Sequence, residues 1–275
     1  MNTAELTQAH QAAISLAREV GTRLREVQRS SQQIAHQFKA HQEIVTELDL
    51  WADQLIVERV RQLFPKHFVI GEESYQKTCQ DLNSTIEQVC AEKVCWVVDP
   101  IDGTRNFYRR IPHFGVSIGI LVNGERQLGV VYDPMRDEIF TAIKGQGAKL
   151  NGVPIAVSDI AKLEKGTVVG YNAARHLSSK WEEFHSLGHK MVLTETEERH
   201  FGSAVLDQCW IAAGRLDASI FYRLSAWDVA AGSLIVEEAG GKAWSLSKPQ
   251  AKAFSIFDKS FGFATPAIFE ACYAT

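Results

Sequence analysis

Apolar and polar residues alternate with a helical period at the start of the chain. The apolar side chains between residues 4 and 28 recur at steps of three and four: Leu6, Ala9, Ala13, Leu16, Ala17, Val20, Leu24 and Val27. This spacing predicts an amphipathic helix. A second helix is predicted over Asp49–Phe64. It must stop near Pro65, because proline cannot continue the helical hydrogen bonds.

The pattern then changes to short runs of β-branched and aromatic residues, which are typical of buried strands. Two such runs, Phe68–Ile70 and Val94–Val98, lead directly into acidic residues. Gly115–Val122 and Gln127–Tyr132 are separated by a polar turn, which predicts a hairpin. A further strand is predicted over Glu138–Ile143. This order of elements predicts a largely antiparallel sheet.

Beyond residue 151 the pattern mixes strands and helices again. The predicted elements are a strand at Thr167–Gly170, a polar helix at 178–190, a strand at 191–194, a helix at 203–214, a strand at Asp217–Phe221 and a helix at Val229–Ala239. We therefore predict two lobes. Residues 1–150 would form an N-terminal α+β lobe that carries the metal-binding motifs, and residues 151–275 a C-terminal α/β lobe that completes the active site.

The composition is that of an ordinary soluble globular protein. The 275 residues include 29 Lys+Arg and 33 Asp+Glu, which gives a net charge of −4. So small a charge creates no long-range electrostatic field that would attract nucleic acid. Nucleic acid is therefore not expected as a partner. No apolar stretch reaches the roughly 18 residues of a membrane span, and the N-terminus lacks the pattern of a secretory signal. We therefore expect a cytoplasmic protein without a membrane partner.

The cysteines do not form a metal-binding or disulfide pattern. There are five, widely spaced and without a C-x2-C pair. They are Cys79, Cys90, Cys95, Cys209 and Cys272. Reduced, structural thiols are the prediction.

The highest concentration of candidate catalytic and metal-binding residues lies at the end of a hydrophobic strand, in Asp99–Thr104, which has the sequence DPIDGT. Two carboxylates three residues apart on a proline-stiffened turn can converge on one point, and such hard oxygen ligands suit Mg²⁺. Gly103 lets backbone amides approach an anion, and Thr104 adds a hydroxyl at a possible helix N-terminus. The alternative is a turn in which Asp99 and Asp102 only cap backbone amides.

Further carboxylates follow comparable elements. Glu72 comes after one strand and Asp228 begins a helix. Taken alone, Glu72 would be a solvated surface residue and Asp228 a helix cap. Acidic groups gathered at one edge of a sheet repel each other unless a cation neutralises them, so the combination favours metal binding.

Three segments, Gly71–Ser74, Trp96–Phe107 and Trp227–Gly241, resemble the motifs of the inositol monophosphatase family of metal-dependent, lithium-sensitive phosphatases. Val45–Asp49 and Gly202–Ala204 support the resemblance, which spans roughly residues 40–241. It implies a layered αβαβα sandwich of the inositol monophosphatase and fructose-1,6-bisphosphatase type, with the active site between two lobes. The family commonly forms homodimers, so a homodimer is expected.

The resemblance also implies roles for individual residues. Glu72, Asp99 and the carbonyl of Ile101 would bind one Mg²⁺, Asp99, Asp102 and Asp228 a second, and a third, weaker ion would lie near Glu72. The catalytic residues would be Thr104, Asp49 and Glu72, with Thr104 holding the attacking water and Asp49 assisting. The implied substrate contacts are Asp102, Gly103, Thr104, Gly202, Ser203, Ala204, Phe221 and Asp228.

The predicted reaction is Mg²⁺-dependent hydrolysis of a small phosphate monoester, with inositol 1-phosphate as the first choice. Paired metal ions would clamp the attacking and leaving oxygens and make hydroxide available at neutral pH. Phe221 stands where inositol-specific members carry a glutamate that contacts the ring hydroxyls, and Arg223 nearby could engage a second anionic group. The alternative substrates are therefore 3′-phosphoadenosine 5′-phosphate, NADP, fructose 1,6-bisphosphate and histidinol phosphate. A regulatory binding protein on the same fold is a further alternative.

Overall fold

The first two helices form where the helical period predicts them. Helix α1 spans Thr3–Arg29 and α2 spans Glu47–Leu63 in the computed structural model, which describes residues 1–31, 33–38, 44–81, 84–164, 166–172, 196–248 and 254–273. Both begin at a capping box, in which Asn2 and Thr46 cap the helix N-terminus. The predicted elements at 178–190 and 191–194 lie outside the described residues.

Six shorter helices complete the helical part of the described chain. They are α3 (Tyr75–Asp81), α4 (Ile86–Glu92), α5 (Thr104–Tyr108), α6 (Ala204–Ala212), α7 (Ala226–Glu238) and α8 (Pro266–Tyr273). The helices predicted at 203–214 and Val229–Ala239 are confirmed as α6 and α7. Among the described residues no helix is both long and apolar enough to cross a membrane.

The strands pair into a two-stranded, a seven-stranded and a five-stranded sheet. The first nine strands are β1 (His36–Phe38), β2 (Ile44–Thr46), β3 (Phe68–Gly71), β4 (Val94–Asp102), β5 (Gly115–Val122), β6 (Glu125–Asp133), β7 (Glu138–Ile143), β8 (Ala148–Leu150) and β9 (Val153–Pro154). The other five are β10 (Val168–Asn172), β11 (Glu197–Arg199), β12 (Ala218–Tyr222), β13 (Lys242–Ser245) and β14 (Ser260–Ala264).

The seven-stranded sheet runs in the order β3-β4-β5-β6-β7-β8-β9. Only β3 and β4 are parallel, so the prediction of a largely antiparallel sheet is confirmed. The five-stranded sheet has the order β11-β10-β12-β14-β13, with β10 parallel to both of its neighbours.

Alternating side chains of β4 show how the layers are stacked. Trp96 and Val98 point into a core shared with α1 and α2, whereas Val97 points into a second core shared with α6 and α7. This second core reaches Phe221 and Phe263 of the five-stranded sheet, whose other face packs against α8. The order is helix, sheet, helix, sheet, helix, which confirms the predicted αβαβα sandwich.

The core around α6 and α7 contains residues from both sides of position 150. The seven-stranded sheet itself continues to β9, where Leu150 pairs with Val153. The division into lobes 1–150 and 151–275 stays a prediction.

The described cysteines agree with the prediction of reduced thiols. Cys79, Cys90, Cys95 and Cys209 carry free thiols. Cys90, Cys95 and Cys209 are buried, where they act as small apolar side chains.

Candidate active site

Strand β4 delivers acidic residues because it continues beyond its predicted end at Val98. Its pairing with β5 shifts register between Asp99 and Asp102, a bulge that turns the end of the strand. The backbone N–H of Ile101 donates to Asp99 Oδ1 at 3.0 Å and fixes the turn. In the parallel neighbour β3, Gly71 pairs with Val98, and the next N–H, that of Glu72, donates to the Val98 carbonyl at 3.0 Å. Glu72 is therefore brought beside Asp99.

The acidic side chains meet in one cluster. Carboxylate oxygens of Asp99, Asp102 and Asp228 lie within 4.8 Å of one another. Asp99 is 1% exposed, and its burial, followed by the charges of Glu72, Asp102 and Asp228, raises the pKa of its carboxyl well above the usual range. Like charges this close cannot all ionise in a buried setting without a counter-charge. The cluster is thus built from the hard oxygen donors that a divalent cation such as Mg²⁺ takes.

Two of the site carboxylates are held at the N-termini of their own helices. Asp228 is the third residue of α7, and its Oδ2 accepts the backbone N–H of Ser225 at 2.6 Å. Asp49 occupies the same position in α2, where its Oδ2 accepts the N–H and the hydroxyl of Thr46 at 2.7 and 2.5 Å. The positive end of each helix dipole favours the ionised carboxylate at these positions.

Asp102 is also held at a helix N-terminus, but that of a distant helix. Its Oδ2 accepts the Ser203 hydroxyl at 2.5 Å and the backbone N–H of Val205 at 2.9 Å, at the start of α6. Burial raises the pKa of Asp102 to about 6, against the opposing effect of these two hydrogen bonds. The predicted contact segment Gly202–Ala204 is therefore joined directly to the acidic cluster.

Thr104 lies between Asp49 and the end of β4. Its hydroxyl is 3.1 Å from Asp49 Oδ1 and 3.0 Å from the carbonyl oxygen of Ile101. A hydroxyl has one proton, so it donates to one of these acceptors at a time. Burial raises the pKa of Asp49 to about 6, and the Asp49 side chain is 1% exposed. The pair has the arrangement of a hydroxyl oriented by a proton acceptor.

Gly103 allows two loops to meet at the site. It has a φ of 92°, in the left-handed region that favours glycine. A Cβ here would lie 3.1 Å from the carbonyl oxygen of Gly202 and 3.2 Å from that of His113. A larger residue would push the predicted phosphate-binding backbone apart.

Phe221 is part of the buried core around α6 and α7. The side chain is 0% exposed in β12, and its ring centroid is 6.0 Å from that of Phe263. A fully buried ring offers no surface to a substrate. Arg223 is exposed in the turn between β12 and α7 and has a φ of 59°.

The sequence interpretation did not identify the residues that hold Asp49 and Asp228. Thr46 and Ser225 each stand three residues before a site aspartate, which is the spacing of a capping box and could have been found in the sequence. The bond from the backbone of Val205 to Asp102 joins positions 103 residues apart, and no local pattern predicts it.

Asp207 of α6 is a buried carboxyl outside the cluster and gives a testable effect on stability. It is 2% exposed, and its Oδ1 has no hydrogen-bond partner among the described residues; the His113 Nε2 atom is 3.9 Å away. Burial raises its pKa well above the usual range, so the folded chain holds this proton more tightly than the unfolded chain. The stability that Asp207 contributes is therefore fully present below a pH of about 4 and is lost as the pH rises towards the raised pKa.

We expect Asp207→Asn to raise the melting temperature at pH 8 by at least about 2 °C, because the amide has no charge to bury. The difference from the wild type should shrink as the pH approaches 4. Thermal unfolding between pH 4 and 8 measures both effects. A lower melting temperature for the variant at pH 8 would contradict this account of Asp207.

Comparison with known proteins places this geometry in a family. The model of the inositol monophosphatase family matches residues 5–267. The Nus factor SuhB of Pasteurella multocida is 36% identical over 232 residues, covering 83% of this chain and 82% of that protein. Inositol monophosphatase 1 of Solanum lycopersicum is 37% identical over 273 residues, covering 94% and 91%.

A solved structure agrees with the fold. The extragenic suppressor protein suhB from Bartonella henselae superposes with a TM-score of 0.81 at 28% identity and covers 96% of both chains. The family match spans nearly the whole chain and includes the acidic cluster and its supporting helices. The chain belongs to the inositol monophosphatase family.

Proposed function

We propose that this protein is a Mg²⁺-dependent phosphatase of small phosphate monoesters. The observation that carries the proposal is the convergence of Asp99, Asp102 and Asp228 within 4.8 Å, beside the hydrogen-bonded pair of Thr104 and Asp49. The raised pKa of Asp99, caused by burial and by its acidic neighbours, fits a site that takes up a cation. Membership of the inositol monophosphatase family supports the reaction class.

The proposed metal ligands divide between two ions. Glu72, Asp99 and the carbonyl of Ile101 would hold one Mg²⁺, and Asp99, Asp102 and Asp228 a second, with a third, weaker ion near Glu72. Bound Mg²⁺ supplies charge neutralisation for the phosphoryl group and lowers the pKa of water. Asp99 would be a ligand of both ions, and its burial, 1% exposed against 9% for Asp102, supports this central role.

The proposed path of the proton runs through Thr104 to Asp49. If the Ile101 carbonyl binds metal, the Thr104 hydroxyl donates to Asp49 and its lone pairs face the attacking water. Asp49 accepts the proton while Thr46 holds its other oxygen. Gly103, Thr104 and the segment Gly202–Ala204 are proposed to contact the phosphate.

We propose inositol 1-phosphate as the first substrate to test. The tomato relative is named inositol monophosphatase 1, which supports this choice. The buried Phe221 supplies no hydrogen-bond acceptor for the hydroxyls of the inositol ring, so another group would have to bind them. The same chemistry on 3′-phosphoadenosine 5′-phosphate, NADP, fructose 1,6-bisphosphate or histidinol phosphate is therefore part of the test.

Phosphate release from these five esters, measured with Mg²⁺ and with a chelator, tests the proposal. We expect turnover of at least one ester with Mg²⁺ and loss of that turnover on chelation, because the transition-state charge is then no longer neutralised. Restoring Mg²⁺ to the chelated protein controls for irreversible damage. Activity that survives chelation would contradict the metal-dependent mechanism, and a preference for another ester would replace inositol 1-phosphate.

A binding role is the second candidate function. It is favoured by the Pasteurella relative, which is named a Nus factor. If the wild-type protein releases no phosphate from any of the esters and captures a stoichiometric partner, the binding role would be supported over catalysis. We also propose lithium sensitivity and a homodimer, which the family resemblance implies, and a cytoplasmic location, which the sequence pattern predicts.

A further inference from the structure

The side chain of Asn106 links two loops that lie on either side of Gly103. Asn106 belongs to α5, and its amide nitrogen Nδ2 donates to the carbonyl oxygens of His113 and Phe201, both at 2.7 Å. A primary amide has two N–H groups, so both are used. The same amide lies against Gly202, where an added Cβ would come within 3.1 Å of Nδ2.

Each linked loop carries part of the candidate site. The loop at Phe201 leads into Ser203, whose hydroxyl donates to Asp102 at 2.5 Å. The loop at His113 contacts Gly103, because its carbonyl oxygen would be 3.2 Å from a Cβ at that position. Asn106 itself lies two residues after Thr104 in α5. One amide thus joins two loops that lie next to the backbone segments proposed to contact phosphate.

The loop at His113 has a separate anchor on its other side. The guanidinium of Arg110 donates to the carbonyl oxygens of Val27 and Gln28 at the end of α1, the latter at 2.8 Å. In the other direction, the side-chain amide of Gln28 donates a hydrogen bond to the Ile111 carbonyl oxygen at 3.2 Å. Loss of the Asn106 amide would therefore release the contact with Phe201 while the loop stays attached to α1.

We propose that Asn106 is a positioning residue, which holds the Gly202–Ser203 backbone in register with Gly103 and Asp102 for binding of the phosphoryl group. This inference rests on the proposed phosphatase function. Displacement of the Gly202 loop would misplace the phosphate contacts without removing any carboxylate from the acidic cluster. The expected loss is therefore in phosphate binding and turnover.

The test compares Asn106→Asp and Asn106→Ala with the wild type on the most active ester. The aspartate keeps the size of the side chain but has no N–H, and its charge faces two carbonyl oxygens. We expect kcat to fall by about 100-fold, as for a misplacement of about 1 Å, and the inhibition constant of inorganic phosphate to rise about tenfold. Hydrogen exchange should become faster in the peptide covering residues 201–206.

Asn151→Asp is the matched control. The Asn151 amide nitrogen also donates to a carbonyl oxygen, that of Asp137 at 3.2 Å, but it lies in the turn between β8 and β9. This variant should keep kcat, the inhibition constant of phosphate and the exchange of residues 201–206 at wild-type values.

The proposal is overturned if both Asn106 variants keep the wild-type phosphate inhibition constant and exchange rates, or if Asn151→Asp changes them equally. A wild-type protein inactive on all esters would instead refute the proposed function. The exchange measurement would then still decide whether Asn106 holds the Gly202 loop.

Discussion

Asp99→Asn should abolish turnover while the protein stays folded. Asp99 is the proposed shared ligand, and its loss removes several kcal/mol of transition-state charge stabilisation, which corresponds to a fall in kcat of at least about 1,000-fold. The fold should survive because the Asn oxygen can still accept the N–H of Ile101, now bound at 3.0 Å. Removal of a carboxyl from the crowded acidic cluster also relieves repulsion. Asp228→Asn should behave in the same way.

Asp217→Asn is a suitable control for this experiment. Asp217 is also a buried acid, 7% exposed, but its oxygens accept bonds from the Ser158 hydroxyl and the Val168 N–H near the five-stranded sheet. We expect this variant to lower the melting temperature and to keep kcat. Mg²⁺ titration by calorimetry should show weakened binding only for the Asp99 and Asp228 variants. Turnover by Asp99→Asn at more than about a tenth of the wild-type rate would refute the assigned metal site.

Thr104→Val should lower kcat by about 100- to 10,000-fold with little change in Mg²⁺ affinity, because it removes only the hydroxyl that orients the attacking water. Valine has nearly the same shape as threonine. Asp49→Asn should give a similar loss, since the amide cannot accept the Thr104 proton in the same way. The double variant should be scarcely worse than either single one, as the two residues act as a unit. Losses that multiply would show that Thr104 and Asp49 act separately.

The pH profile gives a second test of Asp49. Burial raises its pKa to about 6, and the carboxylate must be deprotonated to accept a proton. We expect kcat/KM to fall about tenfold for each pH unit below 6, and this acidic limb should be flatter in Asp49→Asn. Since the folded pKa is raised, the stability that Asp49 contributes is present below about pH 4 and is lost as the pH rises through 6. The free energy of unfolding of Asp49→Asn should not show this loss as the pH rises through 6.

Local signals explain which elements the sequence predicted well. The apolar period of α1 and the capping box at Thr46 act within one or two turns of helix, and both N-terminal helices form as expected. The prediction ended β4 at Val98, because Asp99 and Pro100 are poor strand residues, whereas the strand continues to Asp102. Its pairing with β5, through a bulge, overrides the local preference.

Phe221 illustrates the limit of reading a site from positions in a motif. The count of seven residues before Asp228 placed Phe221 among the substrate contacts. Whether a strand residue faces a site or the core depends on the pleat and on what packs against that face. In β12 the side of Phe221 is covered by Phe263 and α6, so the ring is 0% exposed.

The sequence by itself determined the first two helices, the family resemblance and the residues that hold two of the site acids locally. Thr46 lies three residues before Asp49, and Ser225 three before Asp228, so each cap and carboxylate meet whenever the helix forms. Only the tertiary structure decided how Asp102 is held, by Ser203 and Val205 more than a hundred positions away, and how Asn106 joins the loops at His113 and Phe201. The physical reason is that these bonds depend on the packing of α6 between two sheets, which leaves no periodic pattern in the chain.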